Sequence, residues 1–138
     1  MNGRGRRNKG KQGEREFAKL LGEGLGIEFS RNLDQVRNGG YDLIGLKQLA
    51  IEVKRCETLC IGSWWKQAKS QAKEDQTPVL AYRQSRKDWT VIVPAKFVTK
   101  DLLALCQYDE KRKIMLMTLD TFIKLIAKKL RSKVWNTP

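Results

Sequence analysis

Histidine is absent from all 138 residues. Ser-His-Asp and Cys-His triads, histidine general acid–base chemistry and histidine-ligated zinc or iron are thereby excluded, which leaves catalysis to carboxylates and lysines. Cysteine is scarce. Cys56, Cys60 and Cys106 are odd in number and lack a paired Cys-x-x-Cys framework, as in a reducing compartment. Cys56 and Cys60 make at most half a metal site, with too few further ligands in the chain to complete it. Long hydrophobic runs are missing as well, the apolar stretches falling far short of the roughly 20 residues that cross a bilayer, so no membrane-spanning role is expected. The first eleven residues are basic with no apolar stretch behind them, which does not read as a secretory signal, and a cytoplasmic location is expected. Negative charge is the last deficit: 15 acids face 28 Lys and Arg, a formal net charge of +13. A polyanion relieves that self-repulsion, and nucleic acid is the expected partner.

The length suits one domain with a modest core. Residues 1–11 are glycine-rich, basic and aperiodic; they read as a flexible basic arm, either one that orders against phosphate or a solubilising tail. Residues 12–138 form the single domain, with a helical C-terminal portion. From Gln12 to Leu25, Phe17, Leu20, Leu21 and Leu25 recur at helical spacing, and Gly24 and Gly26 stop the pattern. On that helix Glu14 falls near the apolar stripe while Glu16 turns to water. Residues 31–40 read as a loop. Tyr41–Leu46 and Leu49–Arg55 read as a hairpin, followed by a lightly buried helix from an N-cap at Ser63 to about Asp75. Val79–Arg83 and Trp89–Val93 form a second strand pair across a polar turn. A short helix over Phe97–Cys106, a strand at Ile114–Met117 and an amphipathic helix carrying Leu119, Phe122, Ile123, Ile126 and Leu130 complete the chain. The class is α/β, a small mixed β-sheet flanked by helices.

Asp42, Glu52 and Lys54 stand on the two strands of the first hairpin, where charge needs a reason. Residues two apart share a strand face, so Glu52 and Lys54 project together. Asp42 opposes Glu52 when the turn has an odd length or a bulge; a strict two-residue turn opposes it to Val53 instead. In the first register the carboxylates lie about 5 Å apart at Cβ. Two such groups repel and hold protons unless a cation intervenes, and a hard ion such as Mg²⁺ needs only one or two protein carboxylates when phosphate and water complete its shell. That ion would activate water towards a phosphodiester, with Lys54 stabilising charge on phosphorus and Glu14 joining through water or at a second ion. The alternative reading is a surface strand pair with a cross-strand salt bridge.

With these residues in place, the sequence resembles the PD-(D/E)xK nuclease superfamily, and within it the archaeal Holliday junction resolvases and their phage-encoded relatives. The segment from Lys9 to Phe17 resembles their opening helix, with Glu14 at the first acidic position. Arg31 resembles the arginine after their first short strand, and Asp42 followed by Ile51-Glu52-Val53-Lys54 resembles the catalytic core; Tyr41 stands where the superfamily name has proline. The likeness covers roughly residues 9 to 94. It implies a restriction-endonuclease-like nuclease core with Glu14, Asp42, Glu52 and Lys54 catalytic, the three carboxylates serving as metal ligands. It further implies Mg²⁺, for which Mn²⁺ substitutes, and cleavage of branched or four-way-junction DNA in recombination by a homodimer in a bacterial, archaeal or phage-infected host cell. Arg4, Arg6, Arg7, Lys9, Lys11, Arg15, Arg31 and Arg37 are candidate DNA contacts, although a solvated basic surface accounts for each. Gln67 resembles a glutamine that supports the site in some members, or is a surface residue of its helix. Trp64 and Trp65 either stack on unpaired bases or pack their helix and an interface. A superfamily nuclease with another DNA substrate (nicking, restriction-like or end-processing) and a non-catalytic nucleic-acid-binding module are the alternatives. An RNase H-like resolvase is disfavoured by the distribution of carboxylates.

Overall fold

A computed structural model describes residues 3–33, 40–132 and 135, with side chains given from Lys9 onward. Helix α1 spans Gly3–Leu25 and ends as the glycines predict: Gly26 takes φ +68, and its N–H and that of Ile27 donate to the Gly22 carbonyl at 2.8 and 3.3 Å. Its start corrects the expected arm, because residues 3–11 continue the helix. Once the packed turns exist, each further residue adds a backbone hydrogen bond, and Arg, Lys and Gln are good helix formers. Lys9 is tied down by Glu57 at 2.8 Å.

The strands are β1 (Ser30–Arg31), β2 (Leu43–Ile44), β3 (Leu49–Arg55), β4 (Thr77–Arg83), β5 (Thr90–Pro94), β6 (Gln107–Asp109) and β7 (Ile114–Thr118), in one sheet of order β1-β2-β3-β4-β5-β7-β6. All neighbours are antiparallel except β3 and β4, whose parallel pairing needs the crossover helix α2, Ile61–Gln71. Helix α3, Leu119–Leu130, closes the fold behind an N-cap at Thr118, whose hydroxyl accepts from the Thr121 N–H at 3.1 Å.

Strand alternation divides the core. Ile51, Val53, Val79, Ala81, Val91 and Val93 face α1 and α3, where Phe17, Leu21, Phe122, Leu125 and Ile126 cover them. Leu80, Tyr82, Ile92 and Ile114 face α2 and meet Trp64, Trp65 and Ala68. This corrects the reading of α2 as lightly buried: its adjacent tryptophans fill a second core and leave little ring surface for bases. Cys60, not Ser63, is its N-cap, and the Ser63 hydroxyl donates back to the Cys60 carbonyl; the helix stops at Gln71 rather than Asp75. Phe97–Cys106 is two 3₁₀ turns, Ala95–Phe97 and Lys100–Leu105, and β6 has no forerunner in the sequence pattern. Among the described residues no helix is long and apolar enough to cross a membrane, and the three cysteines are free thiols.

Candidate active site

The charged side chains buried among the described residues are three carboxylates: Glu14 at 9 % exposure, Asp42 at 8 % and Glu52 at 2 %. Their elements explain how they meet. Leu43 pairs with Ile51, which is the register that opposes Asp42 to Glu52. The turn is not a strict two-residue one; β2 is only two residues long, and the Leu49 N–H donates to the Leu46 carbonyl at 3.1 Å. Asp42 is fixed by its own backbone, donating to Ile51 O at 2.8 Å and accepting from the Asn32 N–H at 2.7 Å, while its Oδ2 accepts from the Val53 N–H at 2.7 Å. Glu52, level with Leu80 on the α2 face, keeps Oε1 buried with no hydrogen-bond partner. That arrangement decides against the cross-strand salt bridge, because neither carboxylate ion-pairs with a base among the described residues.

The electrostatics follow from that burial. Desolvation pushes the Asp42 carboxyl above the usual carboxylate range and the nearby Glu14 adds to it, while the Val53 amide and Lys54 pull the other way. Glu52 is raised further, by burial first and then by the charge of Asp42. Lys54 projects with Glu52, and its ammonium donates to Gln67 Oε1 on α2 at 2.9 Å. Gln67 is an exposed residue of its helix, as the surface reading has it, and it also contacts Lys54. Glu14 reaches the sheet edge from α1 and accepts from Arg31 Nε at 2.7 Å. Glu16, expected in water, is instead half-buried, accepting from Arg83 and from Trp89 Nε1 at 3.3 Å.

Two neighbouring buried carboxylates with an orphaned oxygen fit a hard divalent cation, which accepts two protein oxygens and takes the rest of its shell from phosphate and water. Among the described residues no three His, Cys, Asp or Glu side chains gather as one metal-binding group. Glu14 stands beside the pair, its Oε2 held by Arg31.

The family described as "Phage putative PDDEXK endonuclease" matches residues 5–132. The chain belongs to this endonuclease family. The residues whose pattern resembles the PD-(D/E)xK signature, Asp42, Glu52 and Lys54, meet at the β2–β3 hairpin. The chain is also similar to the solved structure of Hjc, a Holliday junction resolvase from Archaeoglobus fulgidus, at 18 % identity and a TM-score of 0.49, over 83 % of this chain and 96 % of that one. Among curated proteins, none matches the sequence.

Around the signature the candidate DNA contacts divide. Arg15 and Arg31 line a common groove of about 380 Å³ with Lys19, which the sequence reading passed over although it lies one helical turn beyond Arg15. Lys9 spends its ammonium on Glu57 and on the Ser85 hydroxyl, at 2.8 and 3.5 Å, tying α1 to two loops. Lys11 is exposed. The side chains of Arg4, Arg6 and Arg7, and Arg37 as a whole, lie outside the described residues.

Proposed function

We propose that this chain is a divalent-metal-dependent endodeoxyribonuclease that hydrolyses phosphodiester bonds in branched DNA, four-way junctions first among them. The observation that carries the reading is the pair Asp42 and Glu52, buried side by side with Glu52 Oε1 unsatisfied, next to a lysine held by Gln67. Such a site is expensive for a fold and useful to a phosphoryl-transfer enzyme. Asp42 and Glu52 would hold Mg²⁺, or Mn²⁺ in its place, and Glu14 would act through water or at a second ion. When bound, the ion supplies Lewis acidity at the scissile phosphate and makes water more acidic.

The protein's own groups do the rest. Lys54, with one ammonium proton committed to Gln67, keeps two for the non-bridging oxygens on which charge builds. Arg31 uses Nε on Glu14, which leaves its terminal nitrogens to orient a neighbouring phosphate. The net charge of +13 draws the polyanion in, and Arg15 and Lys19 extend the contact beside Arg31. Preference for a junction rests on the likeness of the Glu14, Arg31 and Asp42–Lys54 segments to the resolvases, and the homodimer and the cytoplasmic, recombinational setting rest on the same likeness.

The test is a panel of labelled duplex, single-stranded, flap, splayed and four-way DNAs, each with Mg²⁺ and with chelator. Junction cleavage that requires the metal is expected. Metal-dependent cleavage of linear duplex or flaps in preference to the junction replaces the substrate with another DNA, and binding without cleavage of any of them reduces the protein to a binding module.

A further inference from the structure

A wide groove lies away from the carboxylates. It has a volume of about 650 Å³ and sits at the end of the sheet where β4 begins and β5 ends, in the part of the chain beyond the superfamily motifs. Pro78, on its wall, lies two residues along β4 from Leu80, which is level with Glu52, so the groove opens roughly 8 Å from Glu52 by strand rise and spacing.

Its walls carry Lys69 from α2, Lys96 from the first 3₁₀ turn, Arg112 and Lys113 from the β6–β7 turn, and Lys129 from α3. Arg112 is paired with Asp109 at 2.9 Å, whereas the four lysines have no carboxylate partner among the described residues. Lys129 stands over the Phe97 ring at 4.4 Å to the centroid, and Lys113 holds a left-handed backbone, φ 55, where asparagine or glycine is cheaper. Cations gathered this way repel one another until an anion arrives.

The floor narrows the choice of anion. Trp65 and Phe97 line the groove but are almost wholly buried, and Lys129 covers the Phe97 face, so no ring is offered to a stacking base. The four lysines come from four separate elements, so no single backbone turn gathers them around one phosphate group, and a run of phosphates suits them better. Glu74 and Asp75 also line the groove and follow Lys69 closely in the chain, so Lys96, Lys113 and Lys129 are the cations to test.

We propose that this groove is a second DNA-contact surface, a track for the phosphodiester backbone of a duplex arm outside the catalytic hairpin. The proposal rests on the nuclease reading and adds a sequence-independent contact made by a different part of the chain. The decisive variant is Lys96→Gln/Lys113→Asn/Lys129→Gln, with asparagine chosen to suit the left-handed position. Binding to a labelled four-way junction is measured in chelator across a salt series, together with circular dichroism and a thermal melt.

The expected result is affinity weaker by about tenfold or more at physiological salt and a log–log salt slope shallower by about 2 to 3, since each phosphate contact contributes about 0.9. Wild-type affinity and slope in the variant overturn the track. So does an equal loss per charge in Lys124→Gln, whose ammonium is already paired with Asp120 at 3.3 Å, because it reveals net charge alone. If the triple variant does not fold, Lys96→Gln/Lys113→Asn decides, with a slope shallower by about 1 to 2 expected and an unchanged slope overturning the proposal. A wild type that binds no DNA removes the nuclease reading and the track together; a wild type that binds while the variants match it removes the track alone.

Discussion

The β2–β3 and β4–β5 hairpins belong to one sheet and pair by the same antiparallel rules, yet they bury opposite things. In β4–β5 the level pairs Leu80 with Ile92 and Ala81 with Val91 are apolar and fully buried. The charge at its end is matched, since Arg83 is bound by Glu16. In β2–β3 the apolar pair Leu43 and Ile51 adjoins Asp42 and Glu52, like charges with an orphaned oxygen between apolar neighbours. Burying an unpaired carboxylate costs several times what burying a leucine gains. The β4–β5 hairpin is built to stabilise the fold; the β2–β3 hairpin departs from that logic at its buried carboxylates.

Exchanging charge for shape at Glu52 tests this contrast most severely. Glu52→Gln keeps the volume and removes the charge that would hold the ion, so cleavage of a labelled junction at saturating enzyme in Mg²⁺ should fall by several orders of magnitude. Binding in chelator should persist or tighten, because a negative charge beside phosphate has gone. Retained cleavage would end the metal-site reading. The mirror experiment is Ile92→Ala in the other hairpin, at a fully buried position. It should cost about 2–5 kcal/mol in chemical denaturation while turnover of the folded fraction stays close to normal. A loss below about 1 kcal/mol would show that this hairpin is not the structural half of the pair.

Glu14 and Glu16 sharpen the comparison within one helix. Glu14→Gln should lower cleavage by about tenfold or more, since it removes a charge that Asp42 and Glu52 both feel and loosens Arg31. Glu16→Gln keeps an oxygen for Arg83 and Trp89 and should leave cleavage within about twofold of wild type. Equal effects would place both glutamates in the same role.

The contrast was visible in the sequence because strand alternation puts Glu52 and Lys54 on one face, and because charge in apolar strands is rare enough to be noticed. The register was not decidable there: it hung on a turn whose geometry, with β2 only two residues long, depends on the Asn32 and Ile51 backbone contacts of Asp42. Helical periodicity placed Glu14 correctly. It misplaced Glu16, because its partners, Arg83 at the end of β4 and Trp89 just before β5, lie more than sixty residues away, and no local pattern encodes them. The second core was hidden for the same reason. Trp64, Trp65 and Ala68 form a thin stripe on their own, and only the β3–α2–β4 crossover brings Leu80, Tyr82 and Ile92 beneath it. The helical start at Gly3 was masked by glycines and a lack of apolar spacing, cues that describe packing rather than backbone hydrogen bonding.

The smallest expected effect is on stability, and it follows from the sign of the carboxyl shifts. In the metal-free protein Asp42 is raised to about 6 and Glu52 to about 8, both above their values in an unfolded chain. The folded state therefore binds protons more tightly than the unfolded one, so the pair's contribution is fully present below the ordinary carboxylate range and is lost as pH rises through the raised values. Melting temperature in chelator should fall across that window, each kcal/mol amounting to about 3–5 °C for a domain of this size. Glu52→Gln deletes the more strongly shifted group and should flatten the decline. Mg²⁺ should flatten it in the wild type alone, because the ion stabilises the ionised pair and only the wild type retains both carboxylates. Parallel melting curves for wild type and variant across that range would mean that the two carboxylates do not share a site.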